Sequence, residues 1–201
     1  MEKFVVTISR QFGSMGRTIA AKMSEILGID YLDRDIVAAT AERMGQTVKV
    51  ISNGEETAKK SLPGKLFLFN MGVYSITDEI FAVEKNIIRD MASKESCIIV
   101  GRCADSILRD FKNHLNIYIY APYDARLRNC TQELMMDEKT ARRMIKEVDA
   151  ARFNYQRKYC PEVKTVFDHK DIMIDSSRFG IEGTARLLAQ VVKAQWEENQ
   201  G

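Results

Sequence analysis

The residues with the clearest chemical potential form one run: Ser9-Arg10-Gln11-Phe12-Gly13-Ser14-Met15-Gly16-Arg17-Thr18. Glycines let backbone N–H groups close around an anion, and the helix that follows would add its positive N-terminal dipole. In the phosphate-binding pattern G-x-x-x-x-G-K-[ST], Gly16 fills the second glycine position, Arg17 the lysine position and Thr18 the position whose hydroxyl binds Mg2+. Gln11 stands where the first glycine belongs, and Arg17 offers a planar fork in place of a compact ammonium. Gly13, Ser14, Met15, Gly16, Arg17 and Thr18 are therefore the expected phosphate-binding residues. An ordinary strand-to-helix turn would also use such glycines.

Further candidates follow downstream. Tyr31 lies in a second short strand and Asp33 and Arg34 just after it, where an acceptor could bind; Asp33 could also hold a magnesium-bound water, although Asp33-Arg34-Asp35 equally has the form of a helix cap. Arg102 follows Gly101, which permits close ligand approach, and Asp105 is placed to orient it or to cap a helix. A basic stretch holds Lys139, Arg142, Arg143, Lys146, Arg152, Arg157 and Lys158, and its Asp149 and Arg152 are spaced to share one helix face. Such parts suit in-line phosphoryl transfer, which depends on positioning and on neutralising charge over phosphate oxygens. Arg17 would contact the β- and γ-phosphates, Arg102 the acceptor phosphate, and Arg126, Arg143 and Arg152 would complete the clamp.

These residues require a scaffold that brings strand ends together. Phe4 to Ser9 reads as a strand, and Ile19, Met23, Ile26 and Leu27 as the apolar face of a helix stopped at Gly28. Asp30 to Leu32 reads as a second strand, followed by a helix ending near Gly45. Periodicity fades from Gln46 to Val73, which predicts an irregular or partly helical, mobile insertion. Thr77 is the expected N-cap of a helix with Ile80, Phe81, Ile87, Ile88 and Met91 on one face. Cys97 to Val100 and Ile117 to Tyr120 are apolar enough for strands covered on both sides. Helices are expected from Asp124 to about Leu134 and from Glu138 to about Lys158, then a strand at Ile172 to Ile174 and a helix through Trp196. Alternating strands and helices predict a parallel α/β sheet.

With 201 residues, 45% hydrophobic, 29% charged and only 3 Pro beside 11 Gly, the composition fits one globular domain and excludes collagen-like or wholly disordered chains. The formal net charge of +2 implies no affinity for nucleic acid or membrane. Cys97, Cys103, Cys130 and Cys160 show no metal-ligand spacing, and no apolar run is long enough for a signal peptide or membrane span. The expectation is a reduced, cytoplasmic protein without nucleic-acid or membrane partners. Its oligomeric state is not written in the sequence.

Thr7-Ile8-Ser9-Arg10-Gln11-Phe12-Gly13-Ser14 with Gly16-Arg17 resembles the opening of the cytidylate kinase-like family, relatives of the P-loop nucleoside monophosphate kinases. The resemblance runs nearly end to end. Tyr31-Leu32-Asp33, Gly101-Arg102, Ala125-Arg126 with Arg128, Ile145 to Arg152, and Ile174-Asp175-Ser176-Ser177 are similar to that family's later motifs. Three departures stand out: Arg17 for lysine, Arg34-Asp35-Ile36-Val37 after Asp33, and Cys103 for an aspartate after Gly101-Arg102.

The resemblance implies a three-layer P-loop kinase fold in one domain over residues 1–201, with a mobile acceptor-binding insertion at about 34–77 and a helical lid at about 124–160. It implies ATP and Mg2+ as cofactors and a small-molecule nucleotide, foremost CMP or dCMP, as acceptor. Two other readings stay open: a kinase of a non-nucleotide small molecule, and a non-catalytic nucleotide-binding module with a degenerate loop.

Overall fold

Five short strands carry the chain's most apolar runs, and a strand covered on both faces has no polar side to alternate with. In the computed structural model, which describes residues 3–45 and 70–198, these strands form one sheet. They are β1 (Val5–Arg10), β2 (Asp30–Leu32), β3 (Cys97–Val100), β4 (His114–Tyr120) and β5 (Ile172–Asp175). The order is β2-β3-β1-β4-β5 and all pairings are parallel. Strand β1 is central, with Thr7 level with Ile99 of β3 and Asn116 of β4.

Helices cover both faces. They are α1 (Gly16–Leu27), α2 (Arg34–Arg43), α3 (Asn70–Lys94), α4 (Ala104–Ile107), α5 (Tyr123–Gln132), α6 (Glu138–Tyr159) and α7 (Ser176–Glu198). On one face Val6, Ile8, Ile98 and Ile117 pack with Ile19 and Met23 of α1 and Leu188 and Val192 of α7. On the other, Val5 and Ile99 meet Ile36 of α2, Ile87 and Ile88 of α3, and Leu108. Each such fully buried side chain stabilises the fold by about 1.5–3 kcal/mol, so the two cores hold the strand ends in fixed relative positions. This is the expected α/β fold with a parallel sheet.

The structure departs from the sequence expectations at three elements. Helix α3 runs unbroken from Asn70, so Thr77 is a buried mid-helix residue rather than an N-cap. Strand β4 begins at His114, because Thr7 Oγ1 meets His114 Nε2 at 2.8 Å and donates to Asn116 Oδ1 at 3.1 Å, extending the pairing past the apolar run. The final helix kinks at Gly180, whose φ of 64° and ψ of −175° are not helical. Most of the expected insertion at about 34–77, namely residues 46–69, lies outside the described residues. Among the described residues, no helix is long and apolar enough to cross a membrane.

Candidate active site

The site forms at the carboxyl ends of β1, β2 and β3, the end at which open α/β sheets bind ligands. Strand β1 ends at Arg10 and the chain turns through Gln11 to Met15 into α1. Gly13 has φ 78° and Met15 φ 60°. At Gly13 a Cβ would also lie 2.9 Å from both the Arg126 carbonyl oxygen and Cys130 Sγ, so only glycine lets α5 close on the loop. Gln11 has no positive φ; its N–H donates to Ile119 O at 3.0 Å and its Oε1 accepts from Ala121 N–H at 3.2 Å. The missing first glycine is thus replaced by a side chain tied to β4.

The loop is held by its carbonyls. Asn129 Nδ2 donates to Gly13 O at 2.8 Å, and Ser176 Oγ donates to Ser14 O at 2.8 Å. Ser14 Oγ donates to Ile119 O at 3.1 Å. In a trans peptide the N–H points opposite its carbonyl, so tying Ser14 O to Ser176 turns the Met15 N–H the other way. Helix α1 has no side-chain cap at Met15, which leaves its first N–H groups available to an anion.

Arg10, which the sequence placed only within the motif, is the site's least expected component. Its Cβ lies against Gly16, where an added Cβ would come within 2.8 Å, and its Nη1 presses on Gly101, where a Cβ would overlap it. Both glycines therefore make room for one arginine. Burial, then the charge of Arg152, lowers the Arg10 guanidinium from its ordinary value to about 9. Arg10 Nε has no hydrogen-bond partner among the described residues.

Arg102 sits in a turn where Gly101, Arg102 and Cys103 have φ of 78°, 57° and 55°. A non-glycine residue in this region costs roughly 1–2 kcal/mol, a strain that surrounding contacts must offset. Here the offset is Glu84 of α3, fully buried, which pairs with Arg102 through Oε1 and accepts from the Tyr155 hydroxyl at 3.2 Å through Oε2. Burial pushes the Glu84 carboxyl up to about 7 and the Tyr155 hydroxyl draws it back. Sequence reasoning missed Glu84, though an acid between Ile80 and Ile87 on an apolar helix face was a legible signal. Cys103 packs on Cys160 and Val163.

Asp33 makes no capping hydrogen bond; its buried carboxylate instead meets Arg17 Nε at 2.8 Å, drawing that half-exposed guanidinium toward β2. Tyr31 lies beside this pair, and burial pushes its phenol up to about 12. Asp105 lines the crevice, pairs with buried Lys170 and accepts from Gln156 Nε2 at 3.1 Å; these partners, and not Arg102, hold its carboxylate. The side chain of Arg34 lies outside the described residues.

Helix α6 covers the site. Asp149 accepts the Phe12 N–H at 2.7 Å through Oδ1 and the Arg126 Nη1 at 2.5 Å through Oδ2. Arg152 Nη1 donates to Arg10 O at 3.1 Å and lies 4.0 Å from Asp149. Tyr155 and Tyr159 pack on Phe81 of α3. Arg143 instead pairs with Glu147 at 3.3 Å on the exposed face, away from the crevice.

Between the strand ends and α6 lies a crevice of about 480 Å³. Arg10, Arg17, Arg102, Arg152 and Asp33 line it, together with Gln11, Phe12 and Gly101. Gly13, Ser14, Met15, Gly16 and Thr18 belong to the neighbouring loop and not to its wall. Thr18 is exposed in the first turn of α1 with no side-chain hydrogen bond among the described residues. No cluster of three or more His, Cys, Asp or Glu capable of holding a metal occurs among the described residues. One hydroxyl beside a phosphate loop suits a Mg2+ that arrives on a nucleotide, since that ion binds through substrate phosphates and few protein ligands.

The sequence profile of the cytidylate kinase-like family matches residues 5–178. No curated protein matches the chain. An uncharacterized protein from Eubacterium ventriosum has 25% identity and a TM-score of 0.70, the match covering 95% of this chain and 99% of that one. A shikimate kinase from Bacteroides thetaiotaomicron has 12% identity and a TM-score of 0.54, covering 94% and 98%. A sugar kinase from a Janibacter species has 10% identity and a TM-score of 0.51, covering 98% and 95%. The last two share the fold with this chain.

Proposed function

Since the chain belongs to the cytidylate kinase-like family and has a P-loop kinase fold, we propose that it transfers the γ-phosphoryl group of ATP to the phosphate of a nucleoside monophosphate, foremost CMP or dCMP. The observation that supports this most is the crevice in which Arg10, Arg17, Arg102 and Arg152 converge beside an uncapped helix N-terminus. Such a site has little covalent work to do; it aligns donor and acceptor and spreads positive charge over the transferred group.

In this reading the backbone of Gly13 to Thr18 cradles the ATP phosphates and Arg17 moves from Asp33 onto them. The Thr18 hydroxyl would hold a Mg2+ arriving with the nucleotide, and that ion would supply neutralisation of phosphate charge. Arg102, fixed by Glu84, meets the acceptor phosphate. Tyr31, Asp33 and Arg34 border the acceptor, and Asp105 stiffens the wall behind it. Arg126 and Arg152 act from the lid at about 124–160, with Asp149 joining lid to loop. Arg143 can reach phosphate only if α6 turns. Residues 1–201 then form one kinase domain, the insertion at about 34–77 contributing the acceptor side.

ADP formation, measured with ATP, Mg2+ and a panel of nucleoside monophosphates, tests the proposal. Mg2+-dependent ADP release with CMP or dCMP is expected. No ADP with any monophosphate, or ADP only with phosphate-free alcohols such as sugars or shikimate, would reject it.

A further inference from the structure

The arginines in and beside the crevice are unequally provided with carboxylates. Arg17 has Asp33, Arg102 has Glu84, and Arg126 has Asp149. Arg10 makes no ion pair among the described residues, and the nearest carboxylate to Arg152 is Asp149, at 4.0 Å and already bonded to Arg126. A buried cation without a partner is unfavourable, and the fall of Arg10 to about 9 records that burden. Arginine is also a poor residue for an uncharged structural role, because its forked donors match the oxygens of phosphate.

The direction of the side chain identifies which anion is missing. Arg10 leaves β1, passes Gly16 and reaches Gly101 at the end of β3. The guanidinium therefore lies on the β3 side of the loop, toward Asp33 and Arg102, whereas the loop itself is pinned on the other side to β4 and β5 by Gln11, Ser14 and Ser176. At that position the guanidinium lies with Asp33 and Arg102 at the end of the crevice farther from β4 and β5.

We propose that Arg10, with Arg102 and Arg152, forms the seat for a dianionic phosphate monoester on the acceptor, and that this seat selects phosphorylated acceptors over their phosphate-free counterparts. This rests on the kinase reading and extends it: Gly16 and Gly101 are needed as much for the passage of Arg10 as for the loop and the turn.

The test uses inorganic phosphate as the probe of the acceptor seat, titrated calorimetrically into the full chain with the loop filled by Mg2+ and a non-hydrolysable ATP analogue. The wild type binds phosphate; R10Q binds it at least about tenfold more weakly while the analogue's affinity changes less than about threefold. R10K keeps a cation but loses the fork, so it weakens phosphate at least about threefold, and it decides the matter should R10Q not fold. Phosphate binding by R10Q or R10K equal to wild type, no phosphate binding by the wild type, or a parallel loss of analogue and phosphate would overturn the proposal. If the analogue itself fails to bind the wild type, the kinase reading fails, whereas phosphate titration of the nucleotide-free wild type and variants still decides the role of Arg10.

Discussion

Asp149 ties α6 to the loop between β1 and α1, and its removal gives the sharpest quantitative prediction. Asp149→Ala deletes the acceptor of the Phe12 N–H at 2.7 Å and of Arg126 Nη1 at 2.5 Å. Arg126 is 11% exposed, and its Nε already lacks a partner among the described residues. Breaking a fully buried pair costs about 3–5 kcal/mol because the remaining charge is stranded. Asp149 is 28% exposed, so water offsets part of this and about 2–4 kcal/mol is expected. Each kcal/mol moves the melting temperature of a chain this size by about 2–4 °C, which puts the variant about 4–16 °C below wild type. Asp149→Asn keeps an acceptor for Phe12 and should lose about half as much. The assay is calorimetric melting at pH 7.5, with and without Mg2+ and an ATP analogue. If Asp149→Ala melts within about 1 °C of wild type and its nucleotide-induced shift is intact, the tie carries no energy and the reasoning is wrong.

Arg143→Ala should leave kcat/KM within about twofold and stability within about 0.5 kcal/mol, because its Glu147 pair is exposed; Arg152→Ala, assayed alongside, should lose about 100-fold or more in kcat/KM. Gly101→Ala requires an L-residue at φ 78° and displaces Arg10, so steady-state kinetics should show at least about tenfold loss of activity and melting a loss of roughly 1–2 kcal/mol. Ser176→Ala frees the Ser14 carbonyl and should cost about 1 kcal/mol and weaken ATP-analogue binding measured calorimetrically. Burial holds His114 below its usual 6.5, with Asp171 and Asp105 opposing and Lys170 assisting; the unfolded chain then takes up a proton that the folded one resists. Stability should therefore fall as pH drops through 6.5, and melting of His114→Asn across pH 5–8 should show a shallower acid loss.

The fold was legible because the apolar runs at β1, β3 and β4 and the glycine stops at Gly28 and Gly45 are local signals. Thr77 misled because its Thr-Asp-Glu context fits a cap, while the helix before it lacks a clear apolar period. Arg17, Arg102 and Arg152 line one crevice, because the loop after β1, the turn after β3 and the inward face of α6 meet there. Glu84 and Ser176 were not anticipated as partners, because they approach the site from across the fold: Arg102 and Glu84 are 18 residues apart and Ser14 and Ser176 are 162 apart. Asp33 fits both cap and ligand patterns locally, and only the position of Arg17 separates them.

A crystal structure with a non-hydrolysable ATP analogue, Mg2+ and CMP would test the assignment of donor and acceptor sides most directly. The triphosphate should lie along Gly13 to Thr18 and the CMP phosphate among Arg10, Arg102 and Arg152. A triphosphate bound elsewhere, or a CMP phosphate remote from these three guanidinium groups, would contradict it.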